Sequence, residues 1–361
     1  MLADLDYFFA QCEELRNTAL RDKPVVVCVY SGRSKDSGAV STANYIARKY
    51  GVKSGMPIFL ARKKLEGADA AFLPVDHQFY GEVSEKVMNL LEAYADEFEQ
   101  VGIDEAFLDV TRRVHESFQE AKVLAETIKT QMRNEQRLTC SVGVGPNKLV
   151  AKIAADEKKP DGLTVIEPSS VTSYLAPLPV NRLIGVGART LEKMQTIGIS
   201  KVGDLASFDI QKLIAVFGKT LGTYFHNASL GVDNEPVRER GEAISVSRIA
   251  TLKQDTADLT LILEETDRLC DEVHERILRE KITFKTIGII AITKDMKVHT
   301  RSRTLENPSN SLELLKKTVA KLFGKFQSDT QLETRRVGVR LSNLTGIGES
   351  QKQITSFTER S

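Results

Sequence analysis

No apolar run in the 361 residues approaches the length that spans a bilayer. The N-terminus lacks a basic stretch followed by an apolar one, so neither a secretory leader nor a membrane anchor is expected. Cysteine is sparse, with four residues at 12, 28, 140 and 270, far apart and without a CxxC pair. Reduced core thiols in a cytoplasmic protein are the expectation. The five histidines, at 77, 115, 226, 274 and 299, are as scattered and offer no ligand spacing. Internal repeats and low-complexity tracts are missing too. Nor does one charge dominate: 50 Lys and Arg face 49 Asp and Glu, a formal net charge of +1. Composition alone therefore does not point to nucleic acid. What is present, 41% hydrophobic and 27% charged residues, describes a soluble globular chain long enough for two or three domains.

Against this even background one stretch stands out, Gly102-Ile103-Asp104-Glu105-Ala106-Phe107-Leu108-Asp109. Two acids sit side by side between apolar residues, as in two strands joined by a tight turn. Adjacent carboxylates are costly to bury unless cations or hydrogen-bond donors meet them. A hairpin with Asp104 and Glu105 at its tip is either a solvated acidic turn or a divalent metal site. A second acidic strand favours the metal: in Leu2-Ala3-Asp4-Leu5-Asp6-Tyr7-Phe8-Phe9-Ala10, alternation puts Asp4 and Asp6 on one face and Leu5 and Tyr7 on the other. Such oxygen ligands suit Mg²⁺ or Mn²⁺ rather than zinc. With Asp4 beside the 104–105 turn, the arrangement would be a two-metal phosphoryl-transfer centre. One metal would activate an attacking hydroxyl, and the other would hold a triphosphate and its leaving group.

In chain order, residues 10–19 predict a helix and 23–30 a buried strand, with Pro24 at its start where it costs no ladder bond. A helix over 44–50, closed by Gly51, places Tyr45 and Arg48 on one face beside Lys49. That is a grip for a triphosphate or an ordinary amphipathic face. Strands then alternate with helices up to residue 162, around the acidic hairpin. This pattern predicts a ferredoxin-like βαββαβ sheet with a small inserted lobe before Leu73.

Residues 4–162 resemble the palm and fingers of Y-family DNA polymerases of the DinB, or DNA polymerase IV, type, and the archaeal lesion-bypass members most of all. The resemblance is carried by Asp4-Leu5-Asp6-Tyr7-Phe8-Phe9-Ala10, by Ser37-Gly38-Ala39-Val40-Ser41-Thr42-Ala43-Asn44-Tyr45-Ile46-Ala47-Arg48, and by Gly102-Ile103-Asp104-Glu105-Ala106. To these it adds the run from Gly145-Pro146-Asn147-Lys148 to Asp156 and the closing Lys159-Pro160-Asp161-Gly162. All occur in the family's order and spacing. The resemblance implies that Asp4 and Asp104 ligate two Mg²⁺ ions (Mn²⁺ as a substitute), with the Phe8 or a neighbouring backbone carbonyl between them. Glu105 would ligate or orient at the metal that activates the primer 3′-hydroxyl. Tyr45, Arg48, Thr42 and Lys159 would hold the triphosphate of the incoming dNTP. Phe9 would be the steric gate, leaving no room for a 2′-hydroxyl. The chain departs from the family at Gly102, where serine is usual, and at Cys12, where valine is usual. Only three residues precede Asp4, so the first strand is expected to be short at its outer end.

The remaining regions fit the same family. Arg182-Leu183-Ile184-Gly185-Val186-Gly187-Ala188 precedes a helix, then Ile197-Gly198-Ile199 and a second helix, which resembles a helix-hairpin-helix thumb. Its Gly185-x-Gly187 turn would let backbone N–H groups approach a DNA phosphate without reading sequence. Residues 231–243 are rich in Pro, Glu, Arg and Gly and predict a linker. The ββ/α pattern beyond them resembles the little finger found in this family. Residues 281–345 hold thirteen Lys and Arg against five Asp and Glu. Alternation predicts that Arg301, Arg303, Arg335 and Arg336, with Arg248 on an earlier strand, present one basic sheet face to the DNA backbone. In the tail, Gln351, Ile354 and Phe357 have the spacing of a sliding-clamp-binding peptide.

The expected architecture is thus α+β and multidomain. It has a palm (1–10 and 74–163), fingers (11–73), a thumb (164–232), a linker (233–243), a little finger (244–345) and a flexible tail (346–361). The expected function is template-directed, low-fidelity translesion DNA synthesis by a monomer on primer-template DNA. Proofreading is not expected, because no second carboxylate cluster exists for an exonuclease. The small residues Ala39, Ser41, Ser54 and Gly55 should leave room around the nascent pair. A palm-type nucleotide cyclase would not need the thumb or the basic sheet, and a non-catalytic DNA-binding scaffold would not need the acids.

Overall fold

The computed structural model describes residues 1–239, 241 and 243–346. The sequence-predicted clamp peptide at 351–357 lies outside the described residues. By compactness, residues 1–28, 41–54 and 64–240 form one unit. Residues 29–40 and 55–63, with the C-terminal part from 241 on, form another.

The first unit opens with β1 (Leu2–Leu5) and α1 (Phe8–Arg16). Next along the chain come β2 (Val25–Tyr30), β3 (Gly38–Ala43), α2 (Tyr45–Lys49), α3 (Ile58–Lys64) and β4 (Ala71–Pro74), of which residues 29–40 and 55–63 are counted in the second unit. The β-branched run of β2 makes a central strand, and the three strands form a small sheet in the order β3-β2-β4. Then follow α4 (His77–Glu92), β5 (Glu97–Gln100), β6 (Glu105–Asp109), α5 (Phe118–Gln131), β7 (Cys140–Val144), α6 (Lys148–Glu157) and β8 (Leu163–Val165). Asp76, Ser117 and Asn147 cap α4, α5 and α6 through their side chains. The main sheet has the order β5-β6-β1-β7-β8, antiparallel except for the β7–β8 pair. Its first four strands are the ferredoxin-like sheet that the sequence predicts, with β8 added at the edge.

Alternation along β1 decides which helix each side chain meets. Ala3 and Leu5 join the large core with Tyr80 and Leu91 of α4, Ile128 of α5 and Leu108 of β6. Leu2 instead packs with Phe107 beneath Ala151 and Ala155 of α6. A Cβ at Gly143 of β7 would lie 2.0 Å from the Ala151 carbonyl oxygen and 2.3 Å from the Ala155 nitrogen, so only glycine lets α6 sit this close to the sheet. All four cysteines are buried free thiols, Cys12 among them in the core.

The other side of α6 packs on a helical region. It comprises α7 (Val171–Leu175), α8 (Ala188–Thr196), α9 (Val202–Ala206), α10 (Ile210–Phe217) and α11 (Lys219–Ser229). Gly185 takes a φ of 84° before α8, Gly187 is the residue on which α8 starts, and Gly198 ends it with a φ of 83°. This is the expected helix-hairpin-helix.

In the second unit, β9 (Ser245–Thr256), α12 (Leu259–Arg279), β10 (Ile282–Thr293), β11 (Val298–Ser309), α13 (Leu312–Thr330) and β12 (Thr334–Gly346) form a sheet of order β11-β10-β12-β9 with both helices packed against it. Arg33, in the loop after β2, belongs to this unit. Its Nε donates to the Leu252 carbonyl at 2.7 Å, and its guanidinium lies 2.5 Å from Asp255, which also meets Arg335 at 3.2 Å.

The register of this sheet corrects the expectation of a single basic face. Arg303 and Arg301 stand opposite Ile287 and Ile289, and Arg248 stands opposite Val339. Those three partners are buried among the helices. Opposite residues in an antiparallel pair share a face, so these arginines project to the helix-covered side. Arg248 confirms it, 3.6 Å from Glu272 of α12. Arg336 and Arg340 alternate with buried Val337, Val339 and Leu341 and so project to the other side.

Candidate active site

Asp4 stands opposite Glu105 of β6 and opposite Ser141 of β7. The Leu5 N–H donates to the Asp104 carbonyl at 2.8 Å. Acids far apart in the chain are thereby cross-strand neighbours. Asp4 and Glu105 share the face of Leu2 and Phe107, the one turned toward α6, and this brings Lys152 among them. The hairpin tip is held by the Val101 and Gly102 N–H groups, each 3.1 Å from the Glu105 carbonyl, and by Ser84 of α4, whose hydroxyl donates to the Ile103 carbonyl at 2.5 Å. A Cβ at Gly102 would stand 3.2 Å from Asp104 Oδ1 and from Glu105 Cγ, so the glycine leaves the acids space that a serine would crowd.

Two ammonium groups are interleaved with these carboxylates. Lys159 Nζ lies 2.8 Å from Asp4 Oδ2 and 2.9 Å from Asp156. Lys152 contacts Glu105 and lies 3.8 Å from Asp4. Burial pushes the Asp4 carboxyl up to about 6, with the Glu105 charge adding to it and both lysines opposing. Asp104 is also raised, by burial first and then by Glu105. Burial lowers Lys159, but the charges of Asp4 and Asp156 outweigh it and leave the ammonium well above its usual value.

Among the described residues, no three carboxylate, imidazole or thiol groups form a closed metal shell. The fit to a divalent cation rests instead on charge and donor type. Four carboxylates, those of Asp4, Asp104, Glu105 and Asp156, gather around only two ammonium groups, so the negative charge here exceeds what the lysines neutralise. The donors are hard oxygens, as Mg²⁺ requires.

Tyr7 takes left-handed φ and ψ of 38° and 43° and turns the chain from β1 into α1. Asp6 keeps the face of Asp4, as alternation predicts, since its donor Ser141 is the residue opposite Asp4, but its carboxylate is not left free for a metal. Asp6 is 1% exposed and accepts from Ser141, Thr139 and the Asp161 N–H. Phe8 is not where the sequence suggested. It is buried in the first turn of α1 against Phe9 and Tyr80, and a helical carbonyl there accepts from the turn above. The N–H and C=O of one strand residue point the same way, so the Leu5 carbonyl is the one directed toward the Asp104 side. Phe9, half-buried, stacks on Tyr80 at 4.4 Å and 20°, and Tyr80 donates to Glu13 at 2.5 Å.

On the next wall, Asn44 organises α2. Its side chain accepts from Ala47 N at 3.0 Å and from Val25 N at 3.1 Å, and donates to Glu14 at 2.9 Å. Arg48 donates to the Ala43 carbonyl at 2.8 Å with its guanidinium 4.6 Å above the Tyr45 ring, and Tyr45 meets Tyr7 edge-on at 5.4 Å. Tyr45 and Arg48 thus share a face as the helical spacing predicts, and Thr42 lies on β3 just before them. Sequence reasoning missed Lys152, Lys129 and Leu5, and it singled out Asp6 without its partners Thr139, Ser141 and the 159–162 turn. Lys152 lay in plain view in the α6 run, but only the register of β1 and β6 beneath that helix gives it acidic partners.

A ferredoxin-like sheet with acids converging on neighbouring strands, cations around them and a helix-hairpin-helix in the same chain defines a palm-type nucleotidyl-transferring polymerase. Comparison with known proteins is in agreement. Residues 3–156 match the impB/mucB/samB family, residues 243–356 its C-terminal domain, and residues 181–233 the thumb domain of DNA polymerase-iota. DNA polymerase IV of Nitrosopumilus maritimus is 46% identical over 355 residues, covering 98% of this chain and 97% of the relative. DNA polymerase IV 1 of Methanosarcina mazei is 42% identical over 346 residues, 94% of each chain. Among solved structures, a Y-family polymerase chimera, Dbh-Dpo4(243-245)-Dbh, superposes with a TM-score of 0.90 at 36% identity, over 96% of this chain and 98% of that one. An insertion ternary complex of Dbh DNA polymerase superposes with a TM-score of 0.69 at the same identity and coverage. The chain belongs to the Y family of DNA polymerases, in its DinB, or DNA polymerase IV, branch. It is a DNA-directed DNA polymerase of translesion synthesis, and polymerases of this family are metal-dependent.

Proposed function

We propose that Asp4, Asp104 and Glu105 hold two Mg²⁺ ions, or Mn²⁺ in their place, with the Leu5 carbonyl rather than that of Phe8 completing the set. The observation that carries this reading is the cross-strand meeting of Asp4 with the 104–105 tip, with charge left over for a cation. When bound, the metals supply an activated primer hydroxyl and stabilise the charge that builds on the leaving pyrophosphate. The chain's own groups do the rest. Lys159, Arg48 and Tyr45 orient the triphosphate with Thr42 as a hydroxyl donor, and the two cations, Lys159 and Arg48, neutralise its charge. Phe9, pinned by Tyr80, faces the sugar and excludes a 2′-hydroxyl. The substrates are primer-template DNA and dNTPs, in keeping with neighbours solved as ternary complexes. The hairpin at Gly185 and Gly187 offers N–H groups to the duplex backbone, while Arg336 and Arg340 form one basic strip of the C-terminal sheet and Arg248, Arg301, Arg303 and Arg335 lie elsewhere on it.

Primer extension with Mg²⁺ and all four dNTPs on a template tests the reading. Asp104→Ala or Glu105→Ala should cut extension on the order of a thousandfold while primer-template affinity persists. Retained extension would reject the metal assignment. We also propose that Gln351, Ile354 and Phe357 engage a sliding clamp. Deleting residues 350–361 should then abolish clamp stimulation and leave clamp-free synthesis intact, and equal stimulation of the truncated chain would remove the idea.

A further inference from the structure

Asp6 has no part in the metal or nucleotide reading, yet its carboxylate is the most heavily engaged in the palm. Ser141 Oγ donates to Oδ1 at 2.7 Å, while Thr139 Oγ1 at 2.9 Å and the backbone N–H of Asp161 at 2.8 Å donate to Oδ2. The Asp161 bond ties the end of β1 to the turn formed by Lys159-Pro160-Asp161-Gly162. The same turn is gripped from its other side. Lys129 of α5, 7% exposed, donates to the Cys140 carbonyl at 2.7 Å, to Asp161 Oδ1 at 2.8 Å and to the Gly162 carbonyl at 3.0 Å. Arg133 meets the second Asp161 oxygen, and Ser141 Oγ accepts from the Gly162 N–H at 3.2 Å.

A satisfied buried acid is ordinarily structural. What the turn carries makes this one more. Lys159 is its first residue, and its ammonium reaches Asp4, two positions before Asp6. A flexible lysine stem delivers its charge to one place only if the backbone under it is fixed. Here β1 fixes that backbone by Asp6 and receives the ammonium by Asp4. We propose that Asp6 and Lys129 are positioning residues for the incoming nucleotide: they clamp the 159–162 turn so that Lys159 is presented to the triphosphate. This rests on Lys159 being a triphosphate contact, as argued above.

The test is the equilibrium dissociation constant of the correct dNTP on the enzyme bound to a dideoxy-terminated primer-template with Mg²⁺, read beside primer-template affinity and thermal midpoint. Asp6→Ala should weaken dNTP binding about tenfold, as a displacement well under 1 Å can, with primer-template affinity held within about twofold. Asp6→Asn should stay near wild type, because its amide oxygen can accept from the Asp161 N–H while its NH₂ faces the Ser141 hydroxyl, itself an acceptor. Ser141→Ala, a small change that serves if Asp6→Ala does not fold, should weaken dNTP binding about threefold. In a Lys159→Ala background neither alanine variant should weaken it further. Unchanged dNTP affinity in the alanine variants, or the same loss with and without Lys159, overturns the proposal. If Lys159→Ala alone leaves dNTP affinity unchanged, the triphosphate reading of Lys159 fails instead.

Discussion

At the scale of the residue, position decides what identical chemistry does. Asp4 and Asp6 are two carboxylates two positions apart, but donors saturate Asp6 while Asp4 stays among charges. Phe9 and Phe8 are adjacent phenylalanines, yet Phe8 is 2% exposed core and Phe9 offers a half-buried ring held flat on Tyr80. Phe9→Ala opens that space without removing a charge. It should lower discrimination against ribonucleotides by about two orders of magnitude, measured as the ratio of kcat/KM for dCTP and CTP. Unchanged sugar selectivity would assign the gate to another residue.

At the scale of the element, α6 sets the site because it lies so close to the sheet. It brings Lys152 to Glu105 and ends at the turn that carries Lys159. Gly143 is the point of closest approach. Gly143→Ala must push Ala151 and Ala155 away or distort β7, at a cost of about 1–3 kcal/mol. The thermal midpoint should fall by several degrees, and extension should weaken because both lysines shift with the helix. A variant with wild-type midpoint would show that α6 has slack the structure does not suggest.

The C-terminal sheet makes an equivalent point about β-elements. Period-2 alternation tells which residues of one strand share a side, but cross-strand register tells which residues of different strands do. Arg336→Ala and Arg340→Ala should each lower the salt slope of primer-template affinity by about 1 if both contact phosphate. Arg248→Ala, whose guanidinium is held toward Glu272, should leave the slope nearly unchanged. A reversed ranking in fluorescence anisotropy titrations would put the DNA on the helix-covered side.

At the scale of the whole molecule, Asp255 joins the 31–37 loop to the C-terminal sheet through Arg33, with Arg335 alongside. The hydrogen bond from Arg33, then that from Arg335, holds its carboxyl below the usual carboxylate range. A carboxyl depressed by folding stabilises the native state above its unfolded pKa, and that contribution is lost as pH falls through the lower native value. Asp255→Asn should therefore be less stable than wild type at pH 7, and the gap should close as pH drops below about 3.5. Denaturant midpoints across that range check the sign. A gap constant with pH would mean that packing, not charge, makes the contact.

Most of the architecture was determined by the sequence itself. The acidic hairpin, the Tyr45–Arg48 helix face and the Gly185–Gly187 turn are local patterns, and local patterns write their own strands, helices and turns. The family could be read for the same reason, since its motifs are contiguous runs. What only the tertiary structure decided is everything that depends on which strand lies beside which. Leu5 rather than Phe8 faces Asp104, Lys152 stands over Glu105, Asp6 is spent on a distant turn, and the arginines divide between two faces of one sheet. None of these can be seen along a single strand, because a hydrogen-bonded register fixes a partner, and with it a direction, only when the second strand is in place.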